Sequence, residues 1–464
     1  VLSCIFFFDL PIGCIIRVHR PWESYWVLDN NVPQPWQGQT TLVFALAACS
    51  IGLGNVLRMP YLLGEYGGAP FFLCYVATVF TVAVPLLTAE VMLGSKGRAS
   101  PLGALRWASD QSGRSTHWSL LGVIQCLLGV TLAIYCLPMI AWMVDRAVVL
   151  NSGPLASASA AEVAMSFQQL VESPNLTILV ALVGLVTLLA ALGPQVAMAL
   201  IGWVALPAMA VALLSLLQFG IEFGDLESAG DWLFAVNYSD FGWEAAMMGM
   251  LSGVLTLVAG LGVGSVFGAR SPKNLPLLRA VIAAAILDVA FMLVTAVALI
   301  PLLGATNVLP AEGLMFLFVA VPYAFANLPL GEVYGAVFFG FAALATFAAL
   351  LALLEPSVML LHQDGGVNRN LAALMVGAAL GLGVLWLERV GQHLVVLPLL
   401  LDMAIVGVLL LLSVFVAWRM PRPFARAELY REPRWLFTLW WLCLRFIVPT
   451  VQILVLIWRF VAPQ

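Results

Sequence analysis

Residues 48–68 read ACSIGLGNVLRMPYLLGEYGG and sit in the first long apolar run of the chain. Gly52, Gly54, Asn55, Arg58 and Pro60 all fall between Ala48 and Pro60. A helix crossing a bilayer must satisfy its backbone hydrogen bonds internally. Glycine and proline interrupt that ladder, and Asn55 and Arg58 put polarity and charge where both are costly. The surrounding composition nevertheless demands a membrane segment. Of 464 residues, 62% are apolar and 9% charged, where soluble domains carry about 25% charged residues. Mean hydropathy is +1.03. Both lysines, Lys96 and Lys273, lie between apolar runs.

Other function classes drop out on composition. The net charge is −4 and no basic patch interleaves with aromatics, so nucleic acid is not expected as a partner. Seven cysteines (4, 14, 49, 74, 126, 136 and 443) show no paired or metal-like spacing, and five lie in apolar runs as small buried hydrophobes. With four histidines and no nucleophile, metal cluster or cofactor loop, the chain reads as neither an enzyme nor the holder of an organic cofactor.

Apolar runs of the ~20 residues a bilayer requires predict eleven spans: 40–63, 69–94, 117–149, 175–193, 195–220, 242–269, 276–303, 331–361, 370–388, 393–418 and 438–461. The links after spans two, six and ten are basic: Lys96, Arg98, Arg106 and Arg114; Arg270, Lys273 and Arg279; then Arg419, Arg422, Arg426, Arg431 and Arg434. Residues 220–244, on the opposite side, hold six carboxylates and no Lys or Arg. The basic links belong in the cytoplasm, so the amino terminus is expected inside and the carboxyl terminus outside, in the periplasm of a bacterial inner membrane. The arginine cluster 419–434 also suits anionic lipid. Residues 1–35 are set apart as an N-terminal segment, cytoplasmic or the product of a mis-assigned start. Residues 36–464 are read as one domain.

A second interruption matches the first. LTLVAGLGVGSVFG (255–268) carries Gly260, Gly262, Gly264 and Gly268 in span six. Spans one and six are equivalent if residues 36–220 and 240–420 are two five-span halves, with residues 435–464 as an eleventh helix. An odd number of spans per half makes the halves inverted. Paired Gly-interrupted segments then point to a binding site near the bilayer midplane. Unwound carbonyls there favour a cation and half-helix amino ends a carboxylate. Glycines that only pack helices are the plainer account of either segment alone.

SIGLGNVLRMPYLLGEYGGAPFFLCYV (50–76), VPLLTAEVMLG (84–94), LTLVAGLG and GLMFLFVAVPYAFANLPLG (313–331) together resemble the neurotransmitter:sodium symporter family over about residues 36–460. The resemblance implies an all-α polytopic fold of 5+5 inverted repeats with helices 1 and 6 broken, plus one extra carboxyl-terminal helix. It also implies sodium-coupled import of an amino acid, with no organic cofactor. Its first sodium site maps onto Ser50 (backbone), Asn55, Thr256 and Asp288. The substrate pocket maps onto Ser50, Gly52, Gly54, Leu132, Tyr135, Cys136, Leu255, Val258, Leu261 and Ala349, with Ala259, Phe267 and Leu353 as further walls. Glycine at 52, where amine transporters carry aspartate, suits a ligand with its own carboxylate, and the apolar walls suit a neutral, hydrophobic side chain. Arg58 matches the external gate, with Glu388 as its expected acidic partner. Glu90 matches the carboxylate that holds the broken backbone of span six, and Trp36 matches the inner gate.

The departures are as specific. The second sodium site keeps only the backbone positions Ala48, Ile51 and Ala345, because Ala348 and Ala349 stand where the family has hydroxyls. Thr346 lies two residues away, about 200° around the helix. Span five holds no basic residue to replace the ion. The carboxylate-gripping tyrosine of helix three is replaced in Tyr135-Cys136, although Pro138 permits a local distortion. The inner-gate arginine is replaced by Pro33, and its partner by Gln363 beside Asp364. Asp402 in span ten fits no family position, and Glu355 before Pro356 is expected to be solvated at the cytoplasmic end. Three functions follow: sodium-coupled import through one retained site; import driven by protons on Asp288, Glu90 or Asp402; or a non-transporting sensor or subunit. A small membrane subunit is left open.

Overall fold

The computed structural model describes residues 36 and 38–461, except 53, 55–57, 156, 194–200, 235–240, 273–274, 307–312 and 391–396. Side chains of Ile201 and Val390 are likewise not described. The 1–35 segment, Pro33 and Asn55 therefore lie outside the described residues. Residues 33–464 form one compact unit, and the described residues are helical, with no strand among them.

Eight helices are long and apolar enough to cross a membrane: Ala69–Gly97, Thr116–Asn151, Gly202–Phe223, Leu277–Ala305, Gly331–Gln363, Arg369–Arg389, Leu397–Arg419 and Arg434–Val461. They are spans two, three, five and seven to eleven. Span four is Leu176–Leu192, 17 residues, bent 63° from the helix Ala160–Glu172 before it. Spans one and six are the broken pair. Span one runs as Gln39–Ser50 and then Met59–Glu65, and span six as Trp243–Leu255 and then Val263–Ala269.

Backbone geometry at the span-six break explains why that helix cannot continue. Val258, Gly260 and Gly262 have φ of 54°, 83° and 79°. Glycine takes this left-handed region freely. A β-branched valine does not, so Val258 marks strain at the break of the kind that gathers at functional sites. Non-helical backbone at this depth is tolerated where it lines a cavity or is held by other protein groups, and both conditions are met below.

The densest packing joins span three to eight, two to six and five to seven. Spans two and six pack on each other, and span seven lies against spans one and two. Spans three and eight share a long interface that span nine joins, with span four against nine. The contact between span two and the second half of span six is backbone-close. A methyl group on Gly94 would strike the Ser265 carbonyl, and one on Gly268 the Val91 carbonyl. Small residues allow such approach between membrane helices, where packing must supply the association energy. Gly268→Val should lower folded stability by about 2 kcal/mol or more, read as thermal unfolding in detergent. Gly407→Ala in span ten, where nothing lies within 4 Å of the added carbon, should be near neutral.

Candidate functional site

A cavity of about 220 Å³ lies where the two broken spans face spans three and eight. Span one contributes Cys49, Ser50, Gly52, Gly54, Arg58 and Met59; span six contributes Ser252, Leu255, Thr256 and Val258. Span three supplies Leu132, Tyr135 and Cys136, and span eight Thr346, Ala349, Leu350 and Leu353. Nine of the ten pocket residues named from sequence meet here. Leu261 does not: beyond Val258 the left-handed backbone turns the chain away, and Leu261 is buried outside the cavity. Ala259 and Phe267 are absent from the lining as well, and Phe267 packs edge-on against Trp36 at 5.6 Å between ring centroids. Ser252, Thr346, Cys49, Met59 and Leu350 were not anticipated.

Beside the cavity runs a buried polar chain. Tyr75 donates from its hydroxyl to Thr256 Oγ1 at 3.0 Å, and Thr256 donates to Asp288 Oδ2 at 2.8 Å. Tyr75 and Asp288 have no measurable exposure. These oxygens are hard donors of the kind a sodium ion takes, so Thr256 and Asp288 fit that ion chemically. Ser50 ends the first half of span one, its hydroxyl donating to the carbonyls of Leu46 and Ala47 at 3.1 Å each. Ala48, Ile51 and Ala345 are all buried around the same break. A Cβ on Gly52 would lie 3.4 Å from the Ala349 methyl, so the small residues at the vacated hydroxyl positions let spans one and eight touch. Thr346 Oγ1 donates back to Ala342 O at 2.9 Å within its own helix.

Glu90 organises the other break. Its Oε1 accepts from Gly262 N at 2.9 Å and from Gln125 Nε2 at 2.9 Å, and its Oε2 accepts from Gly260 N at 3.4 Å. Carboxylates that accept several N–H groups replace the bonds a broken helix loses. Gln125, a lone amide in apolar span three, was missed.

Trp36 closes the end of the molecule that holds Arg270. Its N–H donates to Arg270 O at 2.7 Å and its indole to Phe267 O at 3.1 Å. Two expectations about charge are corrected. Among the described residues no ion pair joins Arg58 to Glu388. Glu388 sits in the last turn of span nine, while Asp402 of span ten lies within electrostatic reach of Arg58. Asp402 also lies 3.8 Å from Arg459 of span eleven, and Arg58 donates to Met248 Sδ at 3.3 Å. Glu355, expected in solvent, is 3% exposed because the ends of spans six and nine cover it: Arg270 Nη2 stands 3.1 Å from its Oε1 and Arg369 Nη2 2.7 Å from its Oε2. Burial draws the Arg270 guanidinium, just past span six, down to about 10, with Glu355 opposing. Gln363 and Asp364 accept from the backbone N–H and hydroxyl of Ser100, and Asp364 faces Arg106 at 3.7 Å.

This architecture and these motifs have counterparts. Residues 34–155 match the model of the sodium:neurotransmitter symporter family. The uncharacterized sodium-dependent transporter YhdH of Bacillus subtilis is 25% identical over 456 residues, 92% of this chain and 98% of that protein. The likeness to that family lies in residues 34–155, and the likeness to YhdH runs along nearly the whole chain. With its eight long apolar helices the chain is an integral membrane protein. The human sodium- and chloride-dependent transporter XTRP3 is 33% identical, over 23% of this chain and 17% of its own length. Among solved structures, that of MhsT in complex with L-phenylalanine superposes with a TM-score of 0.81 at 22% identity, covering 91% of this chain and 99% of that one.

Replacing Glu90 with Gln removes one acceptor oxygen and turns a donor toward either the Gly260 or the Gly262 N–H. Glu90→Gln should cost about 1–3 kcal/mol and speed hydrogen exchange at residues 260–264. Unchanged stability and exchange would show that the carboxylate does not hold the break.

Proposed function

We propose that this transporter imports a neutral, hydrophobic amino acid by alternating access, coupled to one sodium ion held by Thr256 and Asp288, with Ser50 and Asn55 completing the site. The observation that carries this is the cavity at the two broken spans, directly beside the buried Tyr75–Thr256–Asp288 chain. Its walls are largely apolar, and Leu132, Leu255, Val258, Leu350 and Leu353 suit an aliphatic or aromatic side chain. A bound phenylalanine in the fold neighbour is consistent with that class. Freed backbone at Gly52 and Gly54 would receive the substrate carboxylate. Tyr135 supplies the hydroxyl that Cys136 lacks, since both line the cavity. The chain acts as a carrier rather than an enzyme, in a bacterial inner membrane with its amino terminus inside.

Proton coupling is the alternative, favoured by the alanines at 348 and 349. With no hydroxyl there to hold a second sodium, a carboxylate such as Asp288 would take the coupling proton. Uptake of pooled radiolabelled neutral amino acids into proteoliposomes decides between them, with sodium and proton gradients imposed separately. Sodium should drive uptake with a Hill slope near one, and Asp288→Asn should abolish it. Uptake driven by protons alone would assign the coupling to the carboxylate. Binding without uptake under either gradient would make the chain a sensor or subunit.

A further inference from the structure

An arginine inside an apolar helix is costly unless something answers its charge. Arg445 stands well inside the helix Arg434–Val461 and is partly buried. Its Nε is buried and finds no hydrogen-bond acceptor. The neighbouring span fixes its level. Trp418, in the last turn of span ten, donates its indole N–H to Arg445 O at 3.2 Å. The Arg445 guanidinium in turn lies over the Trp418 ring, 4.6 Å from its centroid. Span ten ends at Arg419, so Arg445 reaches the rim of the apolar layer on the side rich in arginine.

Two more arginines meet there. Arg114, in the link after span two, donates from Nε to Arg419 O at 3.0 Å, and Arg419 itself is exposed. Hydrogen bonds thus tie together three arginine-bearing segments: that link, the end of span ten and the interior of span eleven. Among the described residues none of the three arginines forms an ion pair. Like charges gathered in this way repel unless an anion joins them. Both helices also leave α geometry here, with π turns at Phe415–Arg419 and Cys443–Ile447, a distortion that gathers at functional sites. The other arginines of the basic link are differently engaged. Arg422 and Arg426 lie over the Phe437 ring at 5.7 and 5.0 Å, and Arg431 over Tyr430 at 5.7 Å.

The surroundings of the three arginines point to one kind of anion. Trp418 and Phe446 are 51% and 54% exposed and meet edge-on, with ring centroids 6.2 Å apart. Guanidinium groups hold phosphate oxygens through paired N–H groups, and exposed aromatic rings sit at headgroup level in a bilayer. A soluble anion would use the charge and have no need of the rings. We propose that Arg114, Arg419 and Arg445 hold the phosphate of an anionic phospholipid, its chains lying over Trp418 and Phe446 between spans ten and eleven. The bound lipid fastens the link after span two to both spans. This site needs neither the central cavity nor the coupling ion, so it stands whatever the transport assay returns.

Thermal unfolding of the full chain in neutral detergent reads the site, with phosphatidylglycerol, phosphatidylcholine or inorganic phosphate added in turn. Phosphatidylglycerol should raise the wild-type midpoint, and the other two should not. Arg445→Gln and Arg419→Gln should each raise the phosphatidylglycerol concentration needed by about tenfold. Arg431→Gln removes the same charge from an exposed arginine of the same link and should leave the response unchanged. Equal stabilisation by phosphatidylcholine would mean that lipid chains alone fill the groove, and the proposal falls. It falls equally if Arg431→Gln weakens the response as much as Arg445→Gln, which would make the attraction diffuse surface charge. Stabilisation by inorganic phosphate, lost in the same two variants, would overturn the lipid in favour of a soluble anion. No response to any of the three would leave the arginines without a phosphate ligand and end the proposal. Should Arg445→Gln fail to fold, the exposed Arg419→Gln decides.

Discussion

A buried carboxylate of span two holds this structure together at its weakest point. The break in span six strips backbone N–H groups of their helical partners, in a medium that offers no water to replace them. Glu90 accepts from Gly260 and Gly262, and Gln125 ties the same carboxylate to span three. Around that anchor the backbone can leave the helix, enter the left-handed region at three nearby residues and re-enter as a second short helix. The close glycine contacts of span two with that second half follow from the same need. The half-helix is too short to be stable alone, so it is fastened to its neighbour at backbone distance.

What the break makes possible is a cavity whose polar groups lie to one side. Thr256 serves the polar chain to Asp288 and also lines the cavity, so a cation held there would lie next to the substrate space rather than apart from it. The opposite wall, from spans three and eight, is mainly apolar. Such a division suits a ligand with a charged head and a greasy body.

Charge elsewhere follows a common pattern of shared carboxylates. Glu355 is held by two arginines, Arg270 just past span six and Arg369 of span nine, and Asp402 faces Arg459 within reach of the Arg58 charge. A carboxylate with two cationic neighbours can surrender one without becoming an uncompensated charge in a low-dielectric setting. That property separates a contact that can be made and broken from one that only adds stability.

Much of the fold was legible in sequence because its determinants are local and periodic. Runs of apolar residues set the spans, and interrupting glycines in spans one and six exposed the two breaks. Asp288 stands out because an ionisable group deep in an apolar helix needs a reason, whereas Glu90 and Thr256 came from the family resemblance. Other features depend on neighbours distant in the chain. No pattern within span two says that Tyr75 reaches Thr256, and none within span three says that Gln125 meets Glu90. Glu355 looked like a solvated helix end, since the arginines that cover it come from residues 85 positions before and 14 after. Leu261 was placed in the wall by the family resemblance, and it lies outside the cavity beyond the left-handed backbone at Val258 and Gly260. The sequence by itself determined which segments cross the membrane and where two of them must fail as helices, because hydropathy and glycine act within a few residues. Only the tertiary structure decided which charges meet, because pairing depends on the packing of whole spans.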